Sequence, residues 1–212
     1  MKRRNALKNI GLSLGTITMS STVVSLLQSC QKEAKLAWTP SFFSPEEAEL
    51  VAKTLEVMLP ATPDIPGAMD LNLAQFIDGY LKVISPEEER AAFKAGIEQY
   101  LATTLEASGK ETAEDLSLED IDNRLAYYLK ADAEQQRNWN KEIAAAKKEE
   151  GNIPSDDAVN FGVLKSLRSR GIYAFKITEQ IGENVLAYSP IPGQQKGCVD
   201  LQETTGGMAW SL

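Results

Sequence analysis

Two places near the N-terminus hold residue types at spacings that could do chemistry. Cys30 closes the run Leu27-Gln28-Ser29-Cys30, which sets a leucine three residues and a serine one residue ahead of a thiol. That pattern suits cleavage between Ser29 and Cys30, followed by acylation of the cysteine. Several acyl chains on one residue anchor a protein firmly, because each buried methylene contributes about 0.8 kcal/mol. Upstream, Arg3-Arg4-Asn5-Ala6-Leu7-Lys8 precedes a mildly apolar stretch interrupted by Gly11, Gly15 and the hydroxyls of Ser13, Thr16 and Thr18. Paired arginines before such a stretch read as a twin-arginine signal, the export route of proteins that cross a membrane already folded. The run from Ile10 to Leu27 is too short and too interrupted for a permanent membrane span. Residues 1–29 are therefore predicted to be a signal peptide, with a periplasmic, lipid-anchored mature protein as the consequence.

The rest of the chain is notable for what it excludes. Histidine is absent from all 212 residues. Ser-His-Asp and Cys-His catalysis, covalent haem attachment through Cys-x-x-Cys-His and histidine-ligated zinc or copper are all ruled out. With Cys30 assigned to lipid, Cys198 has no partner for an intrachain disulfide; it is expected to be a buried structural thiol, an interfacial role being the alternative. General acid-base work would fall to carboxylates, lysine or tyrosine, and no spacing singles any of them out. The acids Asp156-Asp157 and Glu119, Asp120 and Asp122 stand at expected helix starts, where they complement the helix dipole and need no metal. Residues 1–29 hold Lys2, Arg3, Arg4 and Lys8 and no acid, so their removal takes the net charge from −8 to −12. That balance argues against nucleic acid as a partner.

The elements that must position any functional surface are helices. Ser44-Pro45-Glu46-Glu47 is a capping box with proline at the first helical position, and Ala48, Val51, Ala52, Leu55 and Leu59 follow at helical spacing before Pro60. A second helix fits Leu71 to Ile84. Ser85-Pro86-Glu87-Glu88 repeats the start signal for a third, with Phe93, Ile97, Tyr100, Leu101 and Leu105 as its stripe and Gly109 near its end. Ser117-Leu118-Glu119-Asp120 opens a fourth, and the charged stretch Ala131–Glu150 reads as a solvated helix packed by one narrow edge around Trp139 and Ile143. Ser155 caps a further helix through Leu167, and Gly171 separates it from the aromatic segment Ile172-Tyr173-Ala174-Phe175. Two segments break the helical pattern: the proline-rich loop Pro60–Asp70, and a tail from Ala187 in which two prolines and two glycines exclude helix. The fold is predicted to be all-α, an irregular array of about six helices with an extended Pro/Gly-rich C-terminal arm. Four parts follow: signal peptide 1–29, lipidated stalk 30–43, helical domain 44–186 and arm 187–212.

Residues alone thus describe an exported, lipid-anchored helical domain, and a free-standing lipoprotein that binds a carbohydrate or another surface component fits them. Three blocks carry the reading further: Phe43-Ser44-Pro45-Glu46-Glu47-Ala48-Glu49-Leu50 running into Leu59-Pro60-Ala61-Thr62-Pro63; Pro66-Gly67-Ala68-Met69-Asp70 running into Phe76-Ile77-Asp78; and Tyr188-Ser189-Pro190-Ile191-Pro192-Gly193 with Gly197-Cys198. In this order, behind a twin-arginine leader, they resemble the gluconate 2-dehydrogenase subunit 3 family, the small subunit of membrane-bound flavin-dependent sugar and sugar-acid dehydrogenases. The resemblance implies a non-catalytic accessory subunit with no cofactor of its own. Its partner would be a large FAD-containing subunit of the glucose-methanol-choline oxidoreductase type, with a cytochrome c subunit carrying haem c, or another acceptor, taking the electrons. The family's glycine, aromatic pair and Thr-Ser-Glu-like run is only loosely matched by Gly171, Tyr173, Phe175 and Thr178-Glu179, and lipidation at Cys30 is a departure from a subunit anchored solely through a cytochrome. Stiff proline and aromatic segments lose little entropy on docking, so Tyr188, Pro190, Pro192 and Gly193 of the arm, with Pro63 and Pro66 of the loop, are the expected partner interface.

Overall fold

The computed structural model describes residues 36–148, 151–191, 193–194 and 197–211; the signal peptide with Arg3 and Arg4, stalk residues 30–35 with Cys30, and Pro192 lie outside them. The described residues carry eight α-helices and no strand, in one unit from Trp38 onward. They are α1 (Pro45–Met58), α2 (Leu73–Val83), α3 (Glu87–Ser108), α4 (Leu118–Leu129), α5 (Ala133–Ala146), α6 (Asp156–Lys176), α7 (Glu179–Asn184) and α8 (Leu201–Thr205). The all-α expectation is met, with two short helices beyond the six the sequence suggests.

Local chemistry sets most of the helix starts. At α1 the Ser44 hydroxyl accepts from the Glu47 amide at 3.2 Å while the Glu47 carboxylate accepts from the Ser44 amide at 2.7 Å, and Ser117 with Asp120 repeats the device at α4. Ser155 caps α6, and Asp132 accepts from Glu134 and Gln135 at the start of α5. The start at Ser85-Pro86 works differently: α3 begins at Glu87 with Pro86 at its N-cap, and the buried Ser85 hydroxyl has no partner. Gly109 ends α3 in the left-handed region at φ 65°, where a side chain would be strained.

Helix α6 is the centre of the array and packs against α1, α2, α3, α4 and α5. Its close approaches run through glycines. A Cβ at Gly96 of α3 would stand 3.0 Å from Val163, one at Gly162 of α6 would stand 3.0 Å from Ile143 of α5, and one at Gly171 would stand 2.6 Å from Leu55 of α1. Gly171 therefore does not separate two segments, as the sequence suggests; the helix runs through it to Lys176, and the missing side chain lets α1 come near. Phe161, Leu164, Leu167 and Ala174 fill the remaining inner face.

Two buried charges tie non-helical chain to this array. The Asp78 carboxylate on α2 accepts from the Ser41 amide and hydroxyl at 2.9 and 2.6 Å and from the amides of Phe42 and Phe43, each at 2.9 Å. Burial alone would raise its pKa, but the Ser41 hydroxyl and the three amides outweigh burial and hold the carboxyl below its ordinary 3.8. The far end of the expected stalk is consequently part of the domain, with Phe43 buried and stacked near Phe93. On α1 the buried Lys53 ammonium donates to the carbonyls of Ala113, Glu114 and Leu116 at 2.8 to 3.0 Å and pairs with Glu49 at 3.3 Å, fixing the connection that leads into α4.

Replacing Asp78 by Asn leaves one acceptor for four donors and turns an amide against them. A loss of about 3 kcal/mol is expected, roughly 6–12 °C in melting temperature. Because the folded pKa lies below the unfolded one, the wild-type advantage is complete above the ordinary value of 3.8 and fades as pH falls through the lower folded value. Melting curves of both proteins from neutral pH into strong acid should therefore converge only below that point. Lys53→Met should cost about 2–4 kcal/mol by taking the ammonium donor away from three carbonyls, and amide exchange should rise first in residues 110–117, which the ammonium holds.

Candidate functional site: an apolar docking face

Helix α2 is apolar on two sides. Leu73, Ala74, Ile77 and Leu81 face the core, while Phe76, Tyr80, Val83 and the following Ile84 recur at helical spacing on the opposite side and stay exposed, Val83 at 76% and Ile84 at 62%. The last two turns of α6 repeat the pattern with Ile172, Tyr173 and Ile177. Between the two helices lies a groove of about 200 Å³ lined by Phe76, Ile77, Tyr80, Ser169, Arg170 and Tyr173. The rings of Phe76 and Tyr80 lie 6.2 Å apart at 34°. The Arg170 guanidinium stands over Tyr80 at 5.9 Å and Phe93 at 5.4 Å and is ion-paired with Glu89, which holds it as one wall of the groove.

A second exposed apolar cluster sits at the C-terminal end. Residues 187–211 do not extend away as an arm. The Ala187 amide donates to Ala209 and the Ser211 amide donates back to Ala187, both at 2.9 Å, so the chain leaves and returns to the same point through α8. Gly206 and Gly207, at φ 63° and 84°, make the return possible. Tyr188, Pro190 and Gly193 are exposed on this closed loop, as are Ile191, Val199, Leu201, Met208 and Trp210. Cys198 is exposed here too, which corrects the expectation of a buried thiol: it stands in the exposed run from Gly197 to Asp200.

The proline-rich loop is rigid. The Thr62 amide donates to the Ile65 carbonyl at 2.8 Å, Ala68 to Leu59 at 2.9 Å, and Met69 to the Glu56 carboxylate at 2.9 Å. A Cβ at Gly67 would fall 2.5 Å from the Ala61 nitrogen, so only glycine fits. Pro63 is exposed at the tip and Pro66 half-buried behind it. Among the described residues no hydrogen bond, ion pair or ring contact joins this loop to Tyr188.

The ionisable groups are arranged to hold structure. Burial pushes Tyr100 up to about 12. Tyr128 is likewise pushed up to about 12, chiefly by burial, and its hydroxyl donates to Asp157 while accepting from Arg124 and Asn160. The nearby Asp157 raises Tyr127, and hydrogen bonds from Ser117 and Ser155 lower Asp120 and Glu142. Each of these groups is moved away from neutrality, the opposite of what proton transfer at physiological pH needs. The Tyr128–Asn160–Asp157 network joins α4 to α6 and has no sequence signature, since Tyr128 stands 29 and 32 residues from its two partners on α6.

Among the described residues no helix is long and apolar enough to cross a membrane. No curated protein and no solved structure matches the chain. The family model for gluconate 2-dehydrogenase subunit 3 matches residues 45–193, from the first residue of α1 to the tip of the C-terminal loop. Within that span the Asp78 carboxylate of Phe76-Ile77-Asp78 accepts from the amide of Phe43, which lies two residues ahead of its start. The chain belongs to the gluconate 2-dehydrogenase subunit 3 family, a subunit of a multi-subunit gluconate dehydrogenase complex.

Proposed function

We propose that this chain is the non-catalytic small subunit of an exported, membrane-associated FAD-dependent dehydrogenase of the glucose-methanol-choline type that oxidises a sugar or sugar acid. Membership of the family is the observation that carries the reading. It is supported by the amount of large apolar surface left open on α2, α6 and the C-terminal loop, since contiguous exposed apolar patches mark protein interaction sites. The flavoprotein subunit holds FAD and the sugar; a cytochrome c subunit or another acceptor takes the electrons. This chain assists folding of the flavoprotein, supplies the Arg3-Arg4 signal that carries both folded chains across the membrane, and anchors the pair through lipid on Cys30. The C-terminal loop, with Tyr188, Pro190, Pro192 and Gly193, and the rigid tip at Pro63 and Pro66 hold the flavoprotein.

Affinity isolation of the tagged full chain from its own membranes should bring down a large flavin-containing subunit, and the chain alone should carry no flavin. A stable monomer that binds carbohydrate and no flavoprotein would contradict the reading and favour a free-standing lipoprotein. Lysines in place of Arg3 and Arg4 should leave both chains in the cytoplasm; full periplasmic dehydrogenase activity after that change would show that the flavoprotein carries its own signal. Cys30→Ser should abolish lipid processing and release the complex from the membrane, whereas unchanged fractionation would place the anchor on a partner. Deletion of residues 187–212 should keep the helical circular dichroism and release the flavoprotein; a truncated chain that still holds it would locate the interface elsewhere.

A further inference from the structure

The outer face of α6 combines the groove with positive charge. The whole chain carries a net charge of −8, yet from Lys165 to Lys176 it holds Lys165, Arg168, Arg170 and Lys176 and no acid. Arg170 is committed to Glu89. Arg168 and Lys176 form no ion pair among the described residues, and helical spacing puts one four residues before and the other four residues after the exposed Ile172. Lys165 lies one turn further back, its ammonium on the Asn140 side chain at 3.2 Å. An apolar strip of Ile172 and Tyr173 thus has cations at both ends and opens sideways onto the groove floored by Ile77.

We propose that this α6 face is a docking site for an acidic segment of the flavoprotein subunit, one apolar side chain of the partner entering the groove between Tyr80 and Tyr173 and its carboxylates lying against Arg168 and Lys176. The proposal rests on the subunit reading above and adds the chemistry of the contact and its place. The groove, at about 200 Å³, is smaller than the roughly 300–1,000 Å³ of pockets that enclose a small-molecule ligand, and suits a single side chain. Uncompensated cations on an otherwise acidic chain select a partner surface of opposite sign, speed encounter and reject surfaces like their own. An anionic bilayer is the poorer fit: it would meet a concave groove and a protein of net negative charge.

The test compares full-length tagged chains isolated from their own membranes, with bound flavoprotein read as flavin absorbance and sugar-dependent dye reduction per mole of this chain. Tyr173→Glu sets a carboxylate in the groove wall and the double change Arg168→Glu, Lys176→Glu inverts the rim; Tyr173 and Arg168 are exposed, and circular dichroism checks the fold. Each variant should weaken retention of the flavoprotein about tenfold or more, and the wild type should lose affinity as salt rises. Lys141→Glu, an exposed charge inversion on α5, should change nothing. Equal retention by wild type and both face variants overturns the proposed site while leaving the subunit reading intact. No flavoprotein on the wild type overturns that reading and the site with it. If the double change leaves the flavoprotein bound but weakens binding of the full chain to phosphatidylglycerol vesicles relative to phosphatidylcholine vesicles, the face meets lipid and the proposal fails.

Discussion

Helix α6 is surrounded, and that constraint decides the rest of the molecule. One 21-residue helix must touch α1, α2, α3, α4 and α5. Such crowding is possible only where side chains are small, and Gly96, Gly162 and Gly171 sit at three of the crossings. Once the inner faces are used, the last two turns of α6 and the back of α2 are what remains, and there the sequence places Phe76, Tyr80, Val83, Ile172 and Tyr173 instead of the polar residues a solvated face would carry. Burial in the core and exposure on this open face are two outcomes of one packing arrangement.

The buried polar groups complete the scaffold. A carboxylate and an ammonium placed inside a helical protein are costly unless every lone pair and proton has a partner. Asp78 and Lys53 meet that condition by binding backbone, not each other: Asp78 collects the amides of the chain entering α1, and Lys53 collects the carbonyls of the chain entering α4. Non-helical segments are thereby given the rigidity of the helices they join. The result is a scaffold in which hydrogen bonds hold the Asp78 carboxyl below its ordinary value and burial pushes Tyr128 up to about 12.

Local signals were legible in the sequence, and long-range ones were not. The capping boxes at Ser44 and Ser117, the cap at Ser155 and the stop at Gly109 all act within four residues, so the amino-acid types alone reveal them. Gly171 misleads because the same residue type ends helices and permits helices to cross, and only the neighbour at Leu55 distinguishes the two. Asp78 binds residues 35 to 37 positions away and Lys53 binds residues 60 to 63 positions away, distances at which no spacing rule operates. The exposed faces of α2 and α6 were hidden for another reason: an apolar residue at helical spacing reads as core until the fold shows that the other side of the helix is already buried. The Pro/Gly content of the tail correctly excludes helix among the described residues of 187–198, but the return through α8 depends on backbone pairing between Ala187 and Ala209.

Hydrogen exchange on the full chain, alone and in the isolated dehydrogenase complex, tests the central claim most directly, because it reads every segment in one measurement. Docking through the surfaces left open around α6 predicts new protection in residues 76–84, 165–177 and 187–211, with residues 41–43 and 110–117 already protected in the free chain and unchanged in the complex. Protection confined to other helices, or an identical exchange pattern in the two states, would contradict it.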